Sequence, residues 1–137
     1  MKRADGKNKI AVDTNVLVRY FTWDDEKQAS AAANILENAT ITFVSTVVLC
    51  ELVWVLKRAY RYTDEQIANA IRQLMQTRSV EVNHAAAEAG LRLLAEGGDF
   101  ADGVIQFEAR SAHCDRLVTF DKKFARDSEL IAVKLIA

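Results

Sequence analysis

Apolar positions recur along this chain either as short runs or as longer stretches spaced like one face of a helix. Ile10, Ala11 and Val12 form a run that stops at Asp13, turns on Thr14 and Asn15 and enters Val16, Leu17 and Val18. A buried strand that ends in a carboxylate and leads into a helix sets that carboxylate at the carboxyl edge of a sheet, where open α/β folds bind ligands. The pattern predicts a short helix over 16–21 with Asn15 as its cap. Asp24, Asp25 and Glu26 supply an acidic first turn for a second helix, whose apolar face includes Ala29, Ala32, Ala33, Ile35 and Leu36 and which ends near Asn38. The β-branched stretch 40–44, TITFV, reads as a strand. Ser45 or Thr46 then caps a helix through VVLCELVWVLKRAY to about Tyr60, with Lys57, Arg58 and Arg61 at its C-terminal end. Thr63 and Gln66 make a capping box for a helix through Ile67, Ala70, Ile71, Leu74 and Met75, so the two helices form a hairpin. Further along, 80–82 predicts a short strand, 84–96 an alanine-rich helix closed by Gly97 and Gly98, and 99–114 another helix. A strand follows over 116–120, a turn or short helix over 121–126 and a last strand over 131–136. Strands alternating with helices predict an α/β fold with a mostly parallel sheet covered on both faces.

Composition narrows this little. At 137 residues, half of them hydrophobic and 27% charged, the chain fits one globular domain over 1–137, with 1–9 as a frayed basic tail. No apolar segment follows that tail closely enough to make an export signal, and no stretch approaches the roughly 20 apolar residues of a membrane span. The expectation is a cytoplasmic protein without a membrane partner. A net charge of -1 gives no global basic excess, so nucleic-acid binding would rest on a local patch. Cys50 and Cys114 lack metal-ligand spacing and read as thiols of a reducing compartment.

Four acids stand in settings that a merely solvated charge does not explain. Asp13 lies at a strand exit, and so does Asp121, after Leu117, Val118, Thr119 and Phe120. Glu51 sits in a helix that is apolar nearly all round. Its neighbours three and four residues away are Val47, Val48, Trp54 and Val55, so no local cation pairs with it. Burying such a carboxylate costs several kcal/mol, so a distant partner, a proton or a metal is expected in preference to plain exposure. Asp99 and Asp102 form D-x-x-D after two glycines; Asp99 is assigned the cap, and Asp102, one turn on, the functional role. Turn formation and capping account for each aspartate singly. Together they suggest carboxylates gathered at one sheet edge, where a divalent cation relieves the repulsion. Oxygen-only donors favour Mg²⁺ or Mn²⁺ over zinc, and the chemistry that follows is in-line attack of water on a phosphodiester. Thr14, Asn15, Ser45 and Thr119 flank the acids and can orient a carboxylate or cap a helix. His84 and His113 read as surface residues. Arg19, Lys57, Arg58, Arg61, Lys122 and Lys123 are candidates for phosphate steering. Tyr20, Phe21, Trp23 and Trp54 read as core packing before base stacking.

At these residues the chain resembles the PIN-domain family, most closely the VapC-type toxins of toxin–antitoxin pairs. The matching segments are VDTNVLVRYF around Asp13, STVVLCELVWVL around Glu51, GGDFADGVI around Asp102 and LVTFDKKF around Asp121. They stand in the family's order from Ile10 to Phe124. The resemblance implies a three-layer α/β/α sandwich around a parallel sheet and a Mg²⁺- or Mn²⁺-dependent ribonuclease. By that likeness Asp13 and Asp102 hold the metal most directly, Asp121 and Glu51 complete the acidic pocket, and Asn15 and Thr119 support it. It further implies a homodimer, and an antitoxin partner whose tail blocks the pocket and which makes the contact to operator DNA. Gly103 departs from the alanine many relatives carry, which by helix propensity costs up to about 1 kcal/mol. The alternative from another class is a catalytically silent PIN module that binds RNA or a protein partner.

Overall fold

The alternation of short apolar runs with amphipathic stretches folds into a mixed α/β chain in which every described strand pair is parallel. The computed structural model describes residues 8–127 and 133–135, in two units, Met1–Asn83 and His84–Ala137.

In the first unit β1 (Lys9–Ala11), β2 (Ile41–Phe43) and β3 (Val80–Glu81) make a sheet in that order, with Ile10 opposite Thr42 and Thr42 opposite Val80. The ladder continues past the strand ends: the Val12 N–H donates to the Phe43 carbonyl at 3.4 Å and the Val44 N–H to the Glu81 carbonyl at 2.9 Å. Asp13 and Ser45 therefore leave neighbouring strands at one edge, each as the cap of the helix that follows. Helix α1 (Thr14–Thr22) starts on Asp13, α2 (Glu26–Asn38) on Asp25, α3 (Thr46–Arg58) on Ser45 and α4 (Asp64–Gln76) on Thr63. Each cap side chain accepts one of the amides that a helix start leaves without an intrahelical partner. Thr63 and Gln66 form the full reciprocal box, at 3.1 and 2.9 Å. Leu17, Val18, Leu49, Leu52, Leu56, Ile67 and Ile71 are buried where these helices pack.

Two local expectations change. The cap of α1 is Asp13 and not Asn15, because an aspartate at a strand exit already has the extended backbone a cap needs, here φ -90 and ψ 177. The chain also joins the sheet before Ile10. The Asn8 N–H donates to Thr40 Oγ1 at 3.1 Å, and the Asn8 carbonyl accepts from the amides of Thr40 and Ile41 at 2.9 and 3.2 Å. Asn8 and Lys9 thus belong to the sheet, and the rest of the expected tail lies outside the described residues.

The second unit runs α5 (His84–Ala95), α6 (Phe100–Ser111), β4 (Leu117–Thr119), α7 (Lys122–Asp127) and β5 (Val133–Leu135). Strands β4 and β5 pair in parallel, and the outer residues of the last strand expected over 131–136 lie outside the described residues. Gly97, at φ +83, turns the chain after α5, and Asp99 caps α6 by accepting the Ala101 N–H at 3.0 Å. Helices α5 and α6 pack against each other closely. A Cβ on Gly90 would meet the buried Phe100 ring at 2.6 Å, and a Cβ on Gly103 would stand 2.9 Å from both the Ala89 carbonyl carbon and the Gly90 Cα. Gly103 is therefore required by the helix crossing and is not a mere loss of helix propensity. Among the described residues no helix is long and apolar enough to cross a membrane.

Candidate active site

Asp13 and Glu51 reach the same cleft in the first unit because the strands that precede their helices are neighbours in one parallel sheet. Asp13, at the exit of β1, spends Oδ1 on the Val16 amide at 3.4 Å. Glu51 lies in the second turn of α3, and Thr14 Oγ1, from the first residue of α1, donates to Glu51 Oε1 at 2.7 Å. An open cleft of about 500 Å³ is lined by Asp13, Thr14, Asn15, Glu51, Trp54 and Val55.

Glu51 is exposed, contrary to the expectation that its apolar neighbours enclose it. Leu49, Leu52, Val53 and Leu56 take the packed side of α3, while Val47 and Trp54 share the open side with Glu51. Its partner is a hydroxyl from another helix, which no local spacing in the sequence could reveal. Trp54 is 62% exposed and Trp23 49%, so neither is the core residue that packing preference suggested. Tyr20 and Phe21 do pack together, edge to face at 5.2 Å between ring centres.

In the second unit Asp102 lies one turn past the α6 cap and is half-buried. Burial, and then the charges of Asp99 and Asp121, push its pKa up to about 6 from 3.8. Asp121 follows β4 and Phe120; its Oδ1 accepts the Phe124 N–H at 3.0 Å, and its own N–H donates to Thr119 Oγ1 at 3.0 Å. Thr119 thus fixes the backbone of the turn that carries Asp121. Asp99 does what was expected of it as a cap and, beyond that, adds to the negative field at Asp102. Gln106, which carried no signal in the sequence beyond its spacing of four from Asp102, is buried with Nε2 unpartnered among the described residues.

Half of the basic residues considered for phosphate steering are engaged elsewhere. Arg19 donates to Asp24 at 2.9 and 3.0 Å, to Gln28 at 2.6 Å and to the Tyr60 hydroxyl at 3.2 Å. Lys57 pairs with Asp64 at 3.3 Å, and Lys123 donates to the Gly97 carbonyl at 2.5 Å. Arg58, Arg61 and Lys122 remain exposed. His84 and His113 are exposed at helix ends, as expected.

Within each unit, among the described residues, no three His, Cys, Asp or Glu side chains gather closely enough to hold a metal ion. The donor chemistry nevertheless suits a hard divalent cation, since carboxylate, amide and hydroxyl oxygens are what Mg²⁺ and Mn²⁺ take. The raised proton affinity of Asp102, set first by burial and then by the charges of Asp99 and Asp121, is of the kind that a bound cation offsets.

The family model of the PIN domain matches residues 10–129. Among curated proteins none matches this chain. Among solved structures, VapC20 of Mycobacterium tuberculosis, described as a Sarcin-Ricin loop cleaving toxin, is similar at 18% identity. That match covers 90% of this chain and 98% of that one, with a TM-score of 0.44. VapBC2 from Rickettsia felis, bound to a DNA fragment from its promoter, is similar at 18% identity over 93% of this chain and 98% of that one, with a TM-score of 0.38.

Proposed function

The chain belongs to the PIN domain family, and from that premise we propose that it is a metal-dependent endoribonuclease, the toxin of a toxin–antitoxin pair. Asp13, Asp102 and Asp121 are its proposed Mg²⁺ or Mn²⁺ ligands, and Glu51 is the fourth acid of the site. The observation that carries this reading is Asp102: a half-buried carboxylate pressed by two others, on a family match that runs through all four acids. When bound, a divalent ion supplies positive charge at the scissile phosphate and lowers the pKa of water.

The residues of this chain divide the remaining work. Thr14 holds one oxygen of Glu51, and Glu51 lines the cleft. Asp13 uses one oxygen as a cap, which fixes its direction at the start of α1. Asn15 lines the same cleft and offers an amide to a phosphate oxygen, while the exposed Trp54 offers a face on which a base can stack. Of the six candidate cations, Arg58, Arg61 and Lys122 are the ones offered to an RNA backbone. A homodimer, an antitoxin partner that alone contacts operator DNA, and a cytoplasmic location complete the proposal, all by likeness to the VapC-type toxins.

Incubating the full chain with RNA in Mg²⁺ or Mn²⁺ and in EDTA tests it. Cleavage is expected with metal only. Asp13→Asn should lower the rate roughly a hundredfold or more, because charge stabilisation by a bound metal contributes several kcal/mol to the transition state. A folded protein that binds RNA without cutting it in either metal would instead favour the silent module. Thr14→Val should slow cleavage about tenfold through loss of the Glu51 contact, with unfolding free energy changed by no more than about 1 kcal/mol, because the bond is exposed. Rates equal to the parent protein would remove Thr14 from the site.

A further inference from the structure

Helix α6 carries an unmatched donor and an unmatched acceptor one turn apart. Gln106 is 2% exposed, and its Nε2 has no hydrogen-bond partner among the described residues. Four residues earlier the half-buried Asp102 carboxylate receives no hydrogen bond from any described donor. Side chains at that spacing lie on the same side of a helix with Cβ atoms about 5–6 Å apart, and Gln–Asp pairs so placed form hydrogen bonds. A buried amide without an acceptor is unfavourable, and a Gln106 rotamer that reached the half-buried Asp102 carboxylate would relieve it.

We propose that Gln106 is a positioning residue for Asp102: its Nε2 donates to the Asp102 carboxylate and fixes the direction in which that carboxylate is presented. The functional consequence rests on the reading of Asp102 as a metal ligand; the hydrogen bond itself does not. The second unit would then repeat the device of the first, where the Thr14 hydroxyl holds Glu51. A neutral donor is suited to the task, since it restrains a carboxylate without competing with a cation for its charge.

The test uses the ¹⁵N-labelled full chain, with the Gln106 side-chain amide pair identified by its loss in Gln106→Leu. Asp102→Ala should move that pair and speed its hydrogen exchange roughly tenfold or more, the protection a hydrogen bond to a charged acceptor gives. Glu108→Gln, an exposed change on the same helix, should leave it in place. Thermal unfolding of Gln106→Leu, Asp102→Ala and the double variant should be non-additive. Gln106→Met takes the place of leucine if the branched side chain does not fit. Calorimetric titration with Mn²⁺ should show affinity reduced about 10–100-fold in Gln106→Leu, as for other residues that orient a metal ligand. An amide pair unmoved by Asp102→Ala, or strict additivity, overturns the proposal. A parent protein that binds no Mn²⁺ overturns the nuclease reading alone, because the amide resonance and the unfolding cycle still decide the Gln106 contact.

Discussion

Asp102→Asn is expected to abolish RNA cleavage and yet, in the absence of divalent ions, to raise the melting temperature. The two effects share one cause. Burial and the charges of Asp99 and Asp121 hold the Asp102 pKa at about 6 instead of 3.8, so the folded protein binds a proton there more tightly than the unfolded chain does. With the folded pKa raised, this group's stabilising contribution is fully present below about 3.8 and is lost as the pH rises through about 6. At neutral pH the carboxylate is charged and opposes folding. Asparagine keeps the shape and removes the charge. It forfeits the favourable field at the start of α6, worth about 0.3–1 kcal/mol, but the raised pKa means that burial and repulsion outweigh that field. Solvent reaches part of the side chain, so the expected net gain is near ~1 kcal/mol, or a few degrees. The decline in stability between pH 4 and 6 should flatten in the variant. Mg²⁺ or Mn²⁺ should stabilise the parent protein and not Asp102→Asn, with the difference growing as pH rises, because the ion binds the deprotonated acid. Cleavage should fall by roughly two orders of magnitude or more. Thermal melts across this pH range, with and without metal, check all of it. A lower melting temperature in the metal-free variant, or a parent protein flat from pH 4 to 6, would show that no repulsive field acts at this carboxylate.

Gly103→Ala should destabilise the protein, although helix propensity alone says the reverse. Alanine in place of a helical glycine gains up to about 1 kcal/mol. At this position the new methyl group would meet the main chain of Ala89 and Gly90, within 2.9 Å of two carbon atoms and closer still to the Ala89 carbonyl oxygen. Main chain inside α5 cannot turn aside as a side-chain tip can, so α6 must move. Overpacking of this kind costs about 1–3 kcal/mol, enough to reverse the propensity gain. Asp102 is the adjacent residue and moves with the helix. A displacement near 1 Å at a reacting centre can slow catalysis about a hundredfold, so cleavage should fall well beyond what the stability loss explains. Urea midpoints and cleavage rates measured together distinguish this from simple unfolding. A more stable Gly103→Ala would mean that the two helices do not cross this closely.

Much of the architecture was legible in the chain because its signals are local. The capping box of Thr63 and Gln66, the Ser45 cap, the acidic start of α2 and Gly97 at the turn after α5 each act over three or four residues, although Asp25 proved to be the cap of α2 and not a residue of its first turn. Alternation of β-branched runs with amphipathic stretches then left a parallel α/β arrangement as the consistent solution. The four proposed acids drew notice in the sequence because a carboxylate at a strand exit, inside an apolar helix or one turn past a cap departs from its surroundings. What misled was any inference about which side of a helix is covered. Glu51 and Trp54 looked enclosed because α3 is apolar nearly all round, yet its packed side is the one bearing Leu49, Leu52 and Leu56.

The sequence by itself determined, for the described residues, which helices and strands form and in what order, to within a few residues of their ends, and which acids to suspect, because caps, turns and periodicity are settled between residues a few positions apart. Tertiary structure alone decided that Thr14 holds Glu51, that Arg19 is committed to Asp24 and Tyr60, that Gly103 must lack a side chain, and that Gln106 is buried with Nε2 unpartnered among the described residues. Apart from the Gln106 spacing, these contacts join different elements, and even there burial depends on what packs over the helix. Burial and charge depend on which surfaces meet in space, and no short stretch of the chain encodes that.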